Sequence, residues 1–133
     1  MAKKFPGLNE AWTAFLLCIL AHMLLPLLPL GIEWLITNTI SDNSITITIA
    51  IYAMGIGMSS TNPIIALICI LIGFIFSVLY GVTLTASMKD IELNLAISTW
   101  SKFALGAIFI PHAIERYNRH VANLQPFHIL GQK

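Results

Sequence analysis

Four long apolar runs, separated by short polar segments, constrain this chain more than any other feature of its sequence. Hydrophobic residues make up 57% of its 133 residues and charged residues only 10%, whereas about 25% of an average soluble domain is charged. A chain this short has too little interior to hide so much apolar surface from water. We therefore expect an all-α integral membrane protein, because backbone that faces lipid must close its hydrogen bonds internally.

The apolar runs predict a single domain, a bundle of four transmembrane helices at about residues 11–30, 42–60, 64–85 and 93–114. About twenty helical residues cross the ~30 Å hydrocarbon core, so the second run is short for a span. The polar residues 33–44 predict an exposed loop before it. A different interpretation starts from the alternation of Ser or Thr with Ile over residues 44–49, which has the period of a β-strand. Residues 34–49 would then form an external β-hairpin.

The distribution of basic residues predicts the orientation of the bundle. Four spans place both termini on one side, which then carries five of the seven Lys and Arg residues, and an excess of these residues marks the cytoplasmic side. Lys3 and Lys4 resemble the start of a signal peptide, but no small-residue cleavage motif follows the first run, so we expect a retained span. The N- and C-termini are therefore predicted to be cytoplasmic, in a bacterial inner membrane.

Small residues recur every four positions along the third run and share one helical face: Cys69, Gly73, Ser77 and Gly81. Faces of this kind let helix backbones approach each other closely in lipid. Two interpretations stay open. The face packs against another helix of the same chain, or it joins copies of the chain into a homo-oligomer.

Two ionisable residues lie within apolar runs, His22 in the first and Lys102 in the last. A cation at the centre of a span costs roughly 2.5–3.5 kcal/mol on insertion scales, and such residues usually face a cavity or a partner. Together with Ser98, one turn before Lys102, they form a candidate intramembrane polar site. The simpler alternatives are a lysine that snorkels to the outer interface and a histidine that is hydrogen-bonded between packed helices.

The polar tail, residues 115–133, begins with apolar residues at helical spacing beside basic ones, which is typical of a short helix lying in the membrane interface. Glu115 and Arg119 have the i,i+4 spacing of a solvated ion pair. Two interpretations of this tail stay open, adhesion to the membrane and docking of a cytosolic protein partner. The residues that we single out for a partner contact are Arg116, Tyr117, Arg119 and Phe127.

Several functions are disfavoured by what the sequence lacks. It has no phosphate-binding loop and no GxSxG, CxxC or HExxH motif, so we expect no catalytic residues, no cofactor and no metal site. His112 and Glu115 are one turn apart, but no further carboxylate is near them in the sequence. The basic residues are too scattered for direct binding of nucleic acid, which needs clustered positive charge. The lipid bilayer is the first partner that the composition implies.

In size and number of spans the chain is similar to small multidrug transporters, but His22 lies in the first run where that family has a membrane-embedded Glu, and Glu33 lies beyond the run. In architecture, with no shared motif, it is also similar to small four-span subunits of bacterial immunity and anti-phage defence systems, including the Kiwa type. That resemblance implies a membrane-embedded sensing or anchoring subunit of a larger complex. The alternative is a small ion channel, holin-like pore or transporter around Lys102 and His22.

Overall fold

The computed structural model describes residue 7 and residues 9–85 and 91–125, and all regular secondary structure in these residues is helical. The prediction of an all-α chain is confirmed, and the alternative of a β-hairpin over residues 34–49 is wrong. Four helices follow one another: α1 at Glu10–Thr37, α2 at Asp42–Ser59, α3 at Pro63–Thr85, and α4 at Ile91–Tyr117 with a π-helical extension at Asn118–Ala122.

Helix α1 changes its winding along its length. It is α-helical over Glu10–Cys18, π-helical over Ile19–Leu24, a 3₁₀ turn over Leu25–Leu27 and α-helical again over Leu28–Thr37. Pro26 and Pro29 account for the change, because a proline lacks the backbone N–H and its ring clashes with the carbonyl four residues earlier. The helix nevertheless continues to Thr37, past the predicted end of the first span at about residue 30.

Polar residues end and begin the helices at the short connections. Asn38 adopts the left-handed conformation, with φ 55°, that terminates α1. The Ser41 hydroxyl accepts a hydrogen bond from Ser44 N at 3.2 Å at the start of α2, and Asn62 Oδ1 accepts one from Ile64 N at 2.9 Å at the start of α3. Such caps satisfy N–H groups that have no partner within the helix. The predicted loop over residues 33–44 is thereby corrected to a connection of residues 38–41.

Successive helices run in opposite directions. Near the start of α1, Trp12 and Phe15 contact Tyr117 at the end of α4, with ring centroids 6.0 and 5.8 Å apart. The turn of residues 60–62, between α2 and α3, is hydrogen-bonded to the same end of α4. We call this end of the molecule the basal end, and the opposite end, which carries residues 38–41, the apical end. The start of α1 and the end of α4 thus lie together at the basal end.

Helix α2 is the central helix of the four. Eight of its 18 residues are buried, whereas α1, α3 and α4 leave many large apolar side chains exposed. Those three helices are each long and apolar enough to cross a membrane. Helix α2 is not among them, since Asp42, Asn43 and its threonines lower its mean hydropathy. Its neighbours cover much of its apolar surface, although Ile51 and Met58 remain exposed.

The closest helix contact joins α2 and α3 through two glycines. A Cβ atom added at Gly57 would lie 2.9 Å from the Ala66 carbonyl oxygen, and one added at Gly73 would lie 3.1 Å from the Ala50 carbonyl oxygen. Only a residue without a side chain permits backbones to approach this closely. The apolar core around the contact draws on all four helices, with members that include Met23, Ile49, Ile56, Phe76 and Ile108.

Candidate functional site

Three polar residues of α4 face the turn of residues 60–62 at the basal end. His112, Glu115 and Arg116 are spaced i, i+3 and i+4, which places them on one face of the helix. His112 is fully buried and Arg116 is 5% exposed, while 11% of the Glu115 side chain is exposed. We call these three residues the basal cluster. Polar groups this well buried require partners, which are found on the facing turn, at the end of α2 and within the cluster itself.

The Glu115 carboxylate binds that turn through four donors. Its Oε1 accepts hydrogen bonds from the N–H and the hydroxyl of Thr61, each at 2.6 Å, and from the N–H of Asn62 at 3.3 Å. Its Oε2 accepts one from the Ser60 hydroxyl at 2.8 Å. Hydrogen bonds to an ionised carboxylate are roughly twice as strong as neutral ones. Glu115 therefore fixes the start of α3 against the end of α4.

Arg116 connects the basal cluster to the end of α2. Its Nε donates to His112 Nε2 at 3.1 Å, and a terminal amino group donates to the carbonyl of Ser59, the last residue of α2. Because His112 Nε2 accepts, the imidazole is neutral and carries its proton on Nδ1, which lies 3.2 Å from Glu115 Oε2. The three side chains thus form one connected network that holds three helices together at the basal end.

This network is suited to fixing the fold. Both carboxylate oxygens of Glu115 and both ring nitrogens of His112 are already hydrogen-bonded within the chain. A general base or a metal ligand needs an acceptor that is open to its substrate or ion. Within the part of the chain that the structure describes, no three His, Cys, Asp or Glu side chains come together as metal ligands.

A cavity of about 770 Å³ opens beside the basal cluster, between the start of α3 and the end of α4. We call it the basal cavity. Its lining is divided into an apolar part and a polar part. The apolar part consists of Pro63, Ile65, Pro111 and Ile114, and the polar part consists of Thr61, Asn62, Glu115, Asn118, Arg119, Asn123 and Gln125.

The residues of the predicted intramembrane polar site lie in different parts of the molecule. Lys102 is exposed, as are the neighbouring rings of Trp100 and Phe103, whereas Ser98 is buried. His22 is exposed in the π-helical part of α1. His22 and Lys102 thus lie exposed on different helices, and of the three residues only Ser98 is buried.

The small-residue face of α3 is divided between two environments. Cys69 and Gly73 are buried, and Gly73 contacts Met54 and Ala50 of α2. Ser77 is half-buried and its hydroxyl donates to the Gly73 carbonyl at 2.9 Å. Gly81 is exposed, with no described atom within 4 Å of an added Cβ. The first half of the face thus packs within the chain, whereas the second half is half-buried at Ser77 and exposed at Gly81.

Two residues that were predicted to dock a partner are engaged within the chain. Arg116 is buried in the basal cluster, so its guanidinium serves Ser59 and His112 and is not presented at the surface. Tyr117 is 42% exposed, but its ring packs edge-on against Trp12 and Phe15. Both side chains join α4 to other helices.

The remaining tail residues differ in what the structure describes. Arg119 is half-buried, and its Nε donates to Gln125 Oε1 at 3.1 Å, where the sequence predicted a pair with Glu115. Glu115 is instead committed to residues 60–62. The tail continues α4 to Ala122, whereas the sequence predicted a separate interfacial helix after the span. Phe127 lies outside the described residues.

The turn of residues 60–62 is the functional element that sequence reasoning missed. In the sequence it is only a short polar segment between two apolar runs, yet it supplies four hydrogen bonds to Glu115. The sequence does contain a signal for this contact, since the polar segment Ser59-Ser60-Thr61-Asn62 and the acidic Glu115 both lie at the basal ends of apolar runs. Nothing in their spacing, however, pairs residues more than fifty positions apart.

These features define an α-helical integral membrane protein, in which three of the four helices that the structure describes are long and apolar enough to cross a membrane. The chain is not significantly similar to any protein-family model, curated protein or solved structure with which it was compared.

Proposed function

We propose that this protein is a small four-span subunit of the bacterial inner membrane that anchors or senses within a larger complex, as in bacterial defence or immunity systems. The observation that carries the proposal is the location of its buried charge. The buried histidine and arginine side chains among the described residues, His112, Arg116 and His120, belong to the basal end, and packed, largely apolar side chains fill the bundle above them. A protomer built in this way has its buried charge at one end, and this is the end that we propose to face a partner.

The connectivity of the helices supports four crossings. Helix α1 ends at the apical end and α3 begins at the basal end, so α2 must return the chain across the membrane if both of them cross it. Its 18 residues have a length of about 27 Å at 1.5 Å per residue, close to the ~30 Å hydrocarbon core. Because its neighbours bury eight of its residues, α2 needs little apolar outer surface of its own.

Aromatic residues near both ends support this placement. Trp12 and Tyr117 lie at the basal end, and Trp34 and Trp100 are exposed further along α1 and α4. The separations are about 33 Å along α1 and about 25 Å along α4 at 1.5 Å per residue. Trp and Tyr concentrate at the two membrane interfaces, which bound a core of about 30 Å. Lys102 then lies close to the apical interface, within reach of its flexible stem.

The positive charge of the termini supports a cytoplasmic basal end. Five of the seven Lys and Arg residues belong to the segments before the first apolar run and after the last one, and such an excess is typical of the cytoplasmic side. A cytosolic protein is accordingly the partner that we propose. Its contact would use the exposed polar surface around the end of α4, since Arg116 is not accessible.

The second candidate function is a pore or transporter, and the exposure of Lys102 is the observation that favours it. A single chain of this shape has packed side chains where a channel would run. A pore lined by Lys102 would therefore have to form between copies of the chain, with the exposed surface of α4 facing the channel. Gly81 and its open surroundings on α3 would be available for such an assembly.

Co-purification and ion flux distinguish the two functions. The tagged chain is purified in mild detergent, alongside Ala122→Arg, which alters the exposed basal end, and Thr39→Arg, a matched change at the exposed apical end. We expect a cytosolic protein to co-purify in stoichiometric amount with the unmodified chain and with Thr39→Arg. It should not co-purify with Ala122→Arg. Reconstituted vesicles should show no flux above protein-free vesicles. A flux that Lys102→Leu abolishes would instead establish the pore.

A further inference from the structure

The lining of the basal cavity changes from apolar to polar along the axis of α4. Pro111 and Ile114 precede Tyr117, whose contact with Trp12 marks the basal interface, and Arg119 follows it. Pro63 and Ile65, at the start of α3, complete the apolar part. The cavity therefore extends from the depth of the acyl chains to the depth of the headgroups, given the membrane placement in the proposed function, on which this inference rests.

The polar part of the basal cavity carries a positive charge with hydrogen-bond donors to spare. Arg119 Nε donates to Gln125 Oε1, but its two terminal amino groups have no acceptor among residues 9–85 and 91–125. Arg116 and Glu115, in contrast, are saturated by the basal cluster, and their charges offset each other. With His112 neutral, the group left to attract a ligand is the guanidinium of Arg119, which suits an anion with several oxygen atoms.

We propose that the basal cavity binds a phospholipid of the adjacent leaflet. The phosphate accepts hydrogen bonds from the terminal amino groups of Arg119, and an acyl chain lies on the apolar part formed by Ile65, Pro111 and Ile114. A volume of about 770 Å³ is within the roughly 300–1,000 Å³ of ligand pockets. A soluble phosphate would use Arg119 alone, whereas a phospholipid also buries apolar surface, so the lining favours the lipid over the free anion.

Native mass spectrometry of the full chain tests this proposal. The protein is extracted from membranes in mild detergent and released in the spectrometer, and bound phospholipid is counted for each chain. We expect about one retained phospholipid for the unmodified protein. Arg119→Gln should reduce retention roughly tenfold, because a hydrogen bond to a charged group contributes enough to binding for a factor of this size. Lys102→Gln, which removes an exposed cation far from the cavity, should leave retention unchanged.

A second pair of variants tests the apolar part without changing charge. Ile114 and Ile110 lie one turn apart on α4 and are 56% and 59% exposed, but only Ile114 lines the cavity. Ile114→Trp should fill the space and reduce lipid retention several-fold, and Ile110→Trp should not. Glycerol phosphate, which has the headgroup chemistry without acyl chains, should fail to displace the lipid.

Four results would overturn the proposal. These are equal retention by the unmodified protein and Arg119→Gln, equal retention by the two Trp variants, displacement by glycerol phosphate, and an unmodified protein without phospholipid. An unmodified protein without phospholipid would also be the result if residues 126–133 of the chain itself filled the cavity. Resistance of the chain to extraction from membranes by alkaline carbonate is measured in parallel. A resistant chain without lipid refutes the lipid site alone, whereas a chain that is washed off the membrane refutes the proposed function as well.

Discussion

Substitution of Gly57 by Ala should separate α2 from α3 and lower the stability of the whole bundle. The added Cβ would lie 2.9 Å from the Ala66 carbonyl oxygen, 3.2 Å from Ile70 N and 2.8 Å from Ile70 Cγ1. The first two of these atoms belong to backbone, so rotation of a side chain cannot relieve the contact. Since ordinary contacts begin at 3.4 Å, the backbones must part by about 0.5 Å. A gap of that size already forfeits about a quarter of the dispersion energy of the contacts that it opens.

The magnitude follows from a comparison with Gly55→Ala on the same helix. Gly55 is exposed, and no described atom lies within 4 Å of its added Cβ. Both variants gain the same helix propensity, about 1 kcal/mol in soluble helices, so that term cancels between them. The difference that remains is the overpacking cost, typically about 1–3 kcal/mol. Gly57→Ala should therefore be less stable than Gly55→Ala by that amount.

Equilibrium unfolding by titration with a denaturing detergent, followed by far-ultraviolet circular dichroism, measures this difference. A difference of about 1.4 kcal/mol corresponds to a tenfold change in the unfolding constant, which the titration resolves. If the two Ala variants unfolded at the same detergent fraction, the close approach of α2 and α3 at Gly57 would not exist in the membrane protein.

Two further predictions address the basal cluster and the orientation. Glu115→Gln should destabilise the chain by about 1–3 kcal/mol, because the donors of residues 60–62 lose their ionised acceptor. Glu10→Gln, at an exposed position, should have no effect. Equal detergent midpoints for the two variants would contradict the stabilising role of the basal cluster. Thr39→Cys should react with a membrane-impermeant maleimide in intact cells, whereas Ala122→Cys should react only after the cells are permeabilised. The native Cys18 and Cys69 are buried. The reverse pattern of labelling would place the basal end outside the cell.

The membrane class and the helical fold follow from the sequence because they depend on local composition. Any arrangement of a chain with 57% hydrophobic residues must leave apolar surface outside, and lipid is the solvent that accepts it. The contact of α3 with another helix at Gly73 could also be predicted from the sequence, since a four-residue period of small side chains allows a second helix to approach closely. The sequence left open which helix that would be, and the structure gives α2.

Helix boundaries were less well predicted from the sequence. The polar residues Glu33 and Thr37 fall in the predicted loop, yet residues 33–37 continue α1. Trp34, Leu35 and Ile36 between them are apolar, and the backbone hydrogen bonds that begin upstream continue through the segment. Hydropathy measures where a helix meets lipid and not where it ends. The hydroxyl of Thr37 donates to the Glu33 carbonyl at 2.8 Å, which lets such polar residues remain within a helix.

The identity of the basal cluster and the exposure of Lys102 could not be predicted from the sequence. Glu115 contacts Thr61 across 54 positions of the chain, and Arg116 contacts Ser59 across 57, and no periodicity within one helix encodes such a pairing. The rotation of α4 about its axis similarly determines that Ser101 is buried against Thr46 while Lys102, the next residue, faces outward. Composition decides which solvent surrounds the chain, because the free energy of transferring its apolar residues from water to lipid depends on their number and order. Which polar side chains meet inside it depends on how four helices pack, and packing is a property of the assembled molecule.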